Sequence, residues 1–382
     1  MDFMGEERVD NSAAKGGAVR HIYVHIPFCA RICPYCAFYK ERADPAQAAR
    51  FCAAILAELA MQQRQFELQP ETIFFGGGTP TALTTGQLET LLGGFRAQLN
   101  LSELREWTFE ANPGSVSERK ARLLRESGVN RISLGVQSFD DGLLQLLGRE
   151  HNAAQAEASF ILLRRSGFQN LNIDLMFGLP GQTLRQWEAT LQRAIALHPE
   201  HISAYCLTYE EDTEFFHRHT RGEFRTDPEA DADFFTLAGE LLGRAGFEHY
   251  EVSNYARPSF ESEHNRTYWS GQDYLGLGPS AVSTVGLRRW PNISDYRAYA
   301  DRLLRGQPAS MGDEVLTLQM KRSESIALSL RTNSGVPVEW LKDRPGEIEE
   351  FVRLGLMSPN AGRYILTPRG RFLADTVAVA FI

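Results

Sequence analysis

From residue 21 to about residue 208, short apolar runs alternate with longer amphipathic stretches. The runs cover 21–26, 72–76, 107–111, 131–136, 171–177 and 201–207. Each has the length of a strand and is rich in β-branched or aromatic residues. Between them, 45–68, 85–99, 117–127, 152–166 and 184–197 carry apolar residues at helical spacing. Five βα units and a sixth strand predict an α/β fold with a parallel sheet and right-handed crossovers. Six strands suit an incomplete parallel (β/α)6 barrel better than a closed eight-stranded one. A flat, doubly wound sheet is the alternative.

After residue 208 the pattern changes. Residues 227–246 read as a helix, and 249–291 are rich in turn and aromatic residues. A separate C-terminal unit is expected over 311–382. It has helices at 323–330 and 348–354, a short β segment near Tyr364-Ile365-Leu366 and a closing helix. Helices followed by a β wing predict a winged-helix-like α+β module. Residues 1–20 read as a polar tail, which leaves 21–310 as the main unit.

Composition narrows the class. The chain has 382 residues, 43% hydrophobic and 23% charged, as expected of a globular protein. No apolar run could cross a bilayer, and the N-terminus has no signal-like apolar core, so a cytoplasmic location is expected. The net charge of −8 argues against broad nucleic-acid binding, which depends on neutralising phosphates. Residues 312–382 hold nine basic and nine acidic residues, so the C-terminal unit has no basic footprint either.

Candidate chemistry concentrates in one run. Cys29, Cys33 and Cys36 have the spacing C-x3-C-x2-C, and the remaining two cysteines, Cys52 and Cys206, are far off in sequence. Thiolates hold iron–sulfur clusters, and three thiolates on a four-iron cubane leave one iron open for chemistry. Structural zinc is the competing reading, but it would need a fourth ligand, for which His25 is the nearest candidate. Five cysteines in a chain of this length make no disulfide framework.

The other informative residues follow, end or, for Asp174, lie within expected strands, toward the carboxyl ends where parallel α/β folds place their sites. They are Gly76-Gly77-Gly78-Thr79, then Glu110, Gln137 and Asp174. Glycines let a backbone approach a ligand closely. The open iron wants a ligand with both an amine and a carboxylate, and S-adenosylmethionine offers both. Glu110 and Asp174 could take hydroxyls or an ammonium group. Arg149 could pair with a carboxylate, and the backbone beside Tyr35 could read an adenine edge. Taken singly, each also fits a surface ion pair or a strand-end turn.

The cysteine run resembles the signature of the radical S-adenosylmethionine superfamily. The segments 23–29, 76–81, 130–139 and 172–183 are similar to one branch of it. That branch holds the oxygen-independent coproporphyrinogen III dehydrogenases and the heme chaperones related to them. The resemblance extends from Tyr23 to Ile382. It implies that Cys29, Cys33 and Cys36 hold a [4Fe-4S] cluster. It implies further that Tyr23, Gly77, Gly78, Thr79, Glu110, Gln137, Arg149 and Asp174 bind S-adenosylmethionine, with Thr208 a looser match.

Within the branch, the dehydrogenases resemble C-x3-C-x2-C-x-C, whereas this chain has Phe38 at the last position. They also carry a long arm before the cluster, and here only 28 residues precede Cys29. His264-Asn265-Arg266-Thr267-Tyr268-Trp269 resembles the H-N-x-x-Y-W motif of the heme chaperones. The resemblance therefore implies heme as cargo, with His264 as iron ligand and Tyr268 and Trp269 against the macrocycle. It also implies an apo-hemoprotein acceptor, such as a respiratory enzyme at the membrane. A homodimer is a further expectation, and cleavage of the cofactor could persist as a side activity. The alternatives are coproporphyrinogen oxidation by radical chemistry and, for the motif alone, a loop whose aromatics seal the barrel and whose histidine caps a turn.

Overall fold

The computed structural model describes residues 18–42 and 44–382. Most of the expected N-terminal tail lies outside the described residues. Its last two positions, Val19 and Arg20, already belong to strand β1 (Val19–Ile26). A two-residue parallel pair follows, β2 (Phe28–Cys29) and β3 (Glu41–Arg42), and it brackets the cysteine loop. The other main strands are β4 (Leu68–Gly77), β5 (Glu106–Ala111), β6 (Arg131–Gln137), β7 (Asn170–Phe177) and β8 (His201–Cys206). They alternate with α1 (Pro45–Gln62), α2 (Thr85–Gln98), α3 (Glu118–Ser127), the short α4 (Asp141–Leu146), α5 (Ala153–Arg165) and α6 (Leu184–Ala196).

The helices start where side chains cap their free N–H groups. Thr84, Asn152 and Thr183 each make a reciprocal capping box with a glutamine three residues on.

The six strands lie side by side in chain order, β1-β4-β5-β6-β7-β8, and all pairs among them are parallel. A doubly wound sheet needs a point where strand order reverses, and this one has none. Successive right-handed crossovers then put every helix on the same face, as in a barrel. The sheet extends beyond six strands. β9 (Glu248–Glu251) and β10 (Asn254–Ala256) add antiparallel pairing beside β8. β11 (Leu275–Leu277) pairs parallel with β1 on the opposite edge. These additions are three or four residues long and sit in the turn-rich stretch, too short to give a periodic signal.

Strand alternation separates two faces. Ile22, Val24, Ile73, Phe75, Trp107, Phe109, Ile132, Leu134, Leu171 and Ile173 are fully buried in one core with the helices. Each such side chain contributes about 2 kcal/mol by leaving water. The opposite face carries His21, Tyr23, His25, Thr72, Glu106, Thr108, Glu110, Arg131, Ser133, Asn172, Asp174, His201, Ser203 and Tyr205. The barrel interior is therefore polar and the functional groups line it.

Beyond β8 come α7 (Glu214–Thr220), α8 (Pro228–Arg244) and α9 (Glu263–Trp269). The motif 264–269, which the alternative reading puts in a loop, is thus helical. Ser262 is its N-cap, and the Glu106 carboxylate accepts from Ser262 Oγ and from the N–H groups of Glu263 and His264. A carboxylate at a helix N-terminus is favourable both as hydrogen-bond acceptor and against the helix dipole. It comes from β5, so no local sequence signal reports it.

A small antiparallel sheet follows, β12 (Val282–Val285), β13 (Arg288–Pro291) and β14 (Glu314–Val315), with α10 (Tyr296–Leu304) in between. The chain ends with α11 (Leu318–Leu330), α12 (Val338–Leu341) and α13 (Pro345–Arg353) around a three-stranded antiparallel sheet. That sheet has the order β15 (Val336–Pro337), β17 (Arg363–Leu366), β16 (Met357–Asn360). It has its own core around Leu330, Val336, Leu341 and Val377. The single closing helix expected from sequence is two, α14 (Pro368–Phe372) and α15 (Ala374–Val379), with Leu373 between them.

Candidate functional site

The cysteine loop leaves the C-terminal end of β1 and lies against the glycine loop after β4. The Gly78 N–H donates to Ile26 O at 2.8 Å, and the Thr79 N–H to Phe28 O at 2.8 Å. These two bonds require the backbones to touch. A Cβ on Gly78 would sit 2.8 Å from Ile26 O, and one on Gly77 would sit 2.4 Å from the His25 ring. Gly77 also has φ +102°, a conformation that other residues rarely adopt. The glycine run is thus a packing requirement of the site as well as a plausible ligand cradle.

All five cysteines are free thiols, but only three are together. Cys29 is buried, and Cys33 and Cys36 are half-buried. Burial pushes the Cys29 thiol up to about 11, partly offset by the Thr79 hydroxyl 3.6 Å from its sulfur. Such a thiol is given up as a thiolate when a metal replaces the proton. Lys40 Nζ bonds the carbonyls of Cys36 and Phe38 and pins the end of the loop. Cys52 is in the core beneath α1, and Cys206 lies beside Gly178 at the end of β8.

The zinc reading loses its fourth ligand. His25 Nδ1 is 3.0 Å from the Tyr23 hydroxyl, and Nε2 is 2.9 Å from Tyr39 O, so both ring nitrogens are engaged. Among the described residues, no three His, Cys, Asp or Glu side chains close around a point as a single ion would require. A cubane holds its three thiolates farther apart than one ion does. Three thiols without a fourth ligand fit a cluster that keeps one iron open.

Arg149 joins the cysteine loop to the barrel. Its Nη1 lies 3.6 Å from Cys33 Sγ, and Nη2 donates to Asn112 Oδ1 and Gly135 O, both at 2.7 Å. Its Nε is buried without a partner. Asn112 in turn donates to Thr79 Oγ1 at 2.8 Å, so the glycine loop, β5, β6 and the cysteine loop form one network. Asn112 was not assigned from sequence, although it stands in the Asn112-Pro113-Gly114 turn. Tyr35 packs on Phe215 beside Arg149.

Glu110 reaches the glycine loop and accepts the Gly77 N–H at 3.1 Å. Burial and the neighbouring Asp174 push its carboxyl up to about 8. Asp174 accepts from Ser133 Oγ at 2.9 Å and Asn172 Nδ2 at 2.7 Å. Gln137 ends β6 with φ +68°, next to a register shift, and non-glycine residues with positive φ gather at functional sites. Tyr23 is deeply set, and burial raises its hydroxyl pKa. Tyr205, which the sequence did not single out, is 40% exposed because it faces the open centre of the barrel near Asp174. The structure brings together all the residues expected to serve the cluster and S-adenosylmethionine except Thr208, whose hydroxyl is spent on Glu210.

The H-N-x-x-Y-W residues lie elsewhere and do not share one surface. His264 is on the barrel floor, its ring tilted against Phe74 with centroids 5.2 Å apart, and almost fully buried. Tyr268 is exposed and packs edge-on to Tyr274. Trp269 is half-buried with the Arg331 guanidinium over its ring. Burial first, then His21 and Arg131, lower the His264 pKa to about 3, so its imidazole is neutral.

Hydrogen bonds fix its tautomer. Gln272 Oε1 accepts from His21 Nε2 at 2.9 Å, which leaves His21 Nδ1 as an acceptor of the Thr72 hydroxyl proton at 3.0 Å. Thr72 Oγ1 must then accept from His264 Nδ1 at 2.8 Å. His264 Nε2 therefore carries a bare lone pair, with no partner among the described residues.

A model of the radical SAM superfamily matches residues 23–194, which span the cysteine loop and the barrel from within β1 to α6. Fold and site define a radical S-adenosylmethionine protein. The crystal structure of coproporphyrinogen III oxidase (HemN) from Escherichia coli superposes with a TM-score of 0.82 at 24% identity, over 96% of this chain and 91% of that one. That likeness establishes the fold. The heme chaperone HemW of Haemophilus influenzae is 39% identical over 94% of this chain and 97% of its own length. The Lactococcus lactis chaperone is 35% identical over 94% and 96%. This chain belongs to the HemW family.

Proposed function

We propose that this protein is a heme chaperone that binds heme and passes it to an apo-hemoprotein. The observation that carries the reading is end-to-end similarity to several bacterial HemW chaperones. Two local features support it. His264 is held neutral and its Nε2 has no partner among the described residues, the form of imidazole that ligates iron. Phe38, 68% exposed, stands where the dehydrogenases resemble a fourth cysteine. Oxidation of coproporphyrinogen is not favoured.

In this reading Cys29, Cys33 and Cys36 hold a [4Fe-4S] cluster whose open iron binds, and can pass an electron to, S-adenosylmethionine. Gly77, Gly78 and Thr79 cradle its methionyl end. Tyr23, Tyr35, Glu110, Gln137, Arg149 and Asp174 hold the remainder. His264 ligates heme, and Tyr268 and Trp269, whose rings meet edge-on at 5.5 Å at the other end of α9, offer aromatic surface to it. Residues 21–310 form the core and 311–382 a winged-helix-like module, supported by a two-stranded wing after its helices. The acceptor would be a cytoplasm-facing respiratory hemoprotein, reached from the membrane surface. Among the described residues, no helix is long and apolar enough to cross a membrane. A homodimer belongs to the same proposal.

The test is heme transfer. Heme-loaded protein should give heme to an apo-cytochrome faster than free heme equilibrates, and His264→Ala should hold heme less tightly. Equal transfer by a heme-loaded unrelated protein would remove the chaperone role.

A further inference from the structure

Arg131 has no role in the cofactor end, and it is 98% buried, with a relative exposure of 2%. It projects from the inner face of β6, in register with Thr108 of β5. Among the described residues its guanidinium makes no hydrogen bond or ion pair, and Nε is sealed from solvent without a partner. A buried, unpaired guanidinium is costly, and natural proteins pair such groups. Here every neighbouring acid is already committed.

Glu106 is fully used, since Ser262 Oγ, the Glu263 and His264 N–H groups and the Thr108 hydroxyl all donate to it. Glu110 holds the Gly77 N–H, and burial and Asp174 push its carboxyl up to about 8, which weakens it as a counter-ion. His201 is satisfied by Asn172 at 2.6 Å and Tyr250 at 2.8 Å. His264, whose Nε2 has no partner among the described residues, lies against Phe74; Phe74 is in register with Thr108 and Thr108 with Arg131, so imidazole and guanidinium belong to one layer of the barrel floor.

We propose that Arg131 is the anchor for a carboxylate that enters the barrel, and that the carboxylate is a propionate arm of the tetrapyrrole whose metal His264 meets. The inference rests on the heme-chaperone reading. An arginine offers a planar pair of donors matched to a carboxylate. A tetrapyrrole carries its propionates on one edge, so a lone pair for the metal and a guanidinium for the edge are complementary to one ligand. The same geometry gives the floor a way to select propionate-bearing tetrapyrroles over neutral ones.

The experiment titrates the full-length, cluster-loaded protein with ferric heme and with heme dimethyl ester, which lacks both carboxylates. Wild type should bind heme at least ten-fold more tightly than the ester. Arg131→Met should lose that discrimination, and Arg131→Lys should keep part of it. Iron content and thermal unfolding of each variant report whether the fold is intact. The wild-type comparison of the two ligands requires no variant to fold. Equal affinity of wild type for heme and ester, or undiminished discrimination by Arg131→Met, overturns the inference and leaves Arg131 a water-solvated structural charge. Failure of wild type to bind either ligand sinks the heme reading beneath it.

Discussion

The two ends of the barrel solve opposite problems with the same strands. At the C-terminal end, loops bring together groups whose bonding capacity is unspent. Three free thiols, the Arg149 Nε, a left-handed Gln137 and a carboxyl pushed up to about 8 gather there. At the floor, α9 is inserted as a plug, and almost every polar group is paired through Glu106, Thr72, Asn172 and Tyr250. The open end is poised to take up a cluster and a cofactor. Among the groups of that floor without a partner are His264 Nε2 and Arg131. A buried polar network that is fully satisfied fixes one arrangement, and whatever it leaves unpaired is informative.

The contrast can be broken most strongly at the open end. Cys33→Ser should abolish nearly all cluster iron and sulfide after anaerobic reconstitution, because three thiolates are the minimum set. An intact cluster in that variant would reassign the ligands. At the floor, Glu106→Ala strands the first-turn donors of α9. It should cost about 3 kcal/mol in denaturant unfolding, with Glu106→Gln retaining part of the loss. A cost under 1 kcal/mol would mean the plug does not depend on this cap.

Gly77→Ala sharpens the comparison from the cofactor side. Its φ of +102° and the 2.4 Å approach to His25 should cost about 2 kcal/mol and weaken S-adenosylmethionine binding, leaving heme affinity within two-fold. Equal losses of both ligands would merge the two ends into one site.

The acid response should come from buried neutral histidines. His264 is lowered to about 3, and His151 and His249 to about 4, in each case mainly by burial. Below the ordinary histidine range the unfolded chain binds protons that these folded imidazoles refuse. Their stability is therefore complete above about pH 6.5 and falls as pH drops toward 3–4. His264→Gln should flatten that fall in unfolding measured from pH 7 to 4; an unchanged slope would place the acid sensitivity elsewhere. The smallest effect is expected at Phe38, which is exposed. Phe38→Ala should change stability by less than about 0.5 kcal/mol and leave cluster iron unchanged.

How much of this was legible follows the same division. The six parallel strands, their helices and the cysteine–glycine end could be read because each depends on local periodicity, caps and short spacings. Cys29, Cys33 and Cys36 follow an expected strand, Glu110 ends one, and Asp174 lies within one. The floor could not be read that way. Glu106 and Ser262 are 156 residues apart, and Thr72 and His264 are 192 apart. The helix over 263–269 is hard to read locally because its decisive cap comes from β5. Its signals in the sequence were only Ser262 and the acidic Glu263 in the first turn. Arg131 looked like an ordinary strand start, and only the three-dimensional placement of its neighbours shows that it has no partner. The motif histidine proved part of the barrel floor, so a heme iron would approach it from inside the barrel.

The central claim is that the tetrapyrrole is cargo for this radical S-adenosylmethionine protein. One experiment tests it most directly: anaerobically reconstituted protein is given S-adenosylmethionine, a reductant and coproporphyrinogen III, and a parallel sample is titrated with heme. The account predicts saturable heme binding and no protoporphyrinogen IX. Catalytic formation of protoporphyrinogen IX would contradict it.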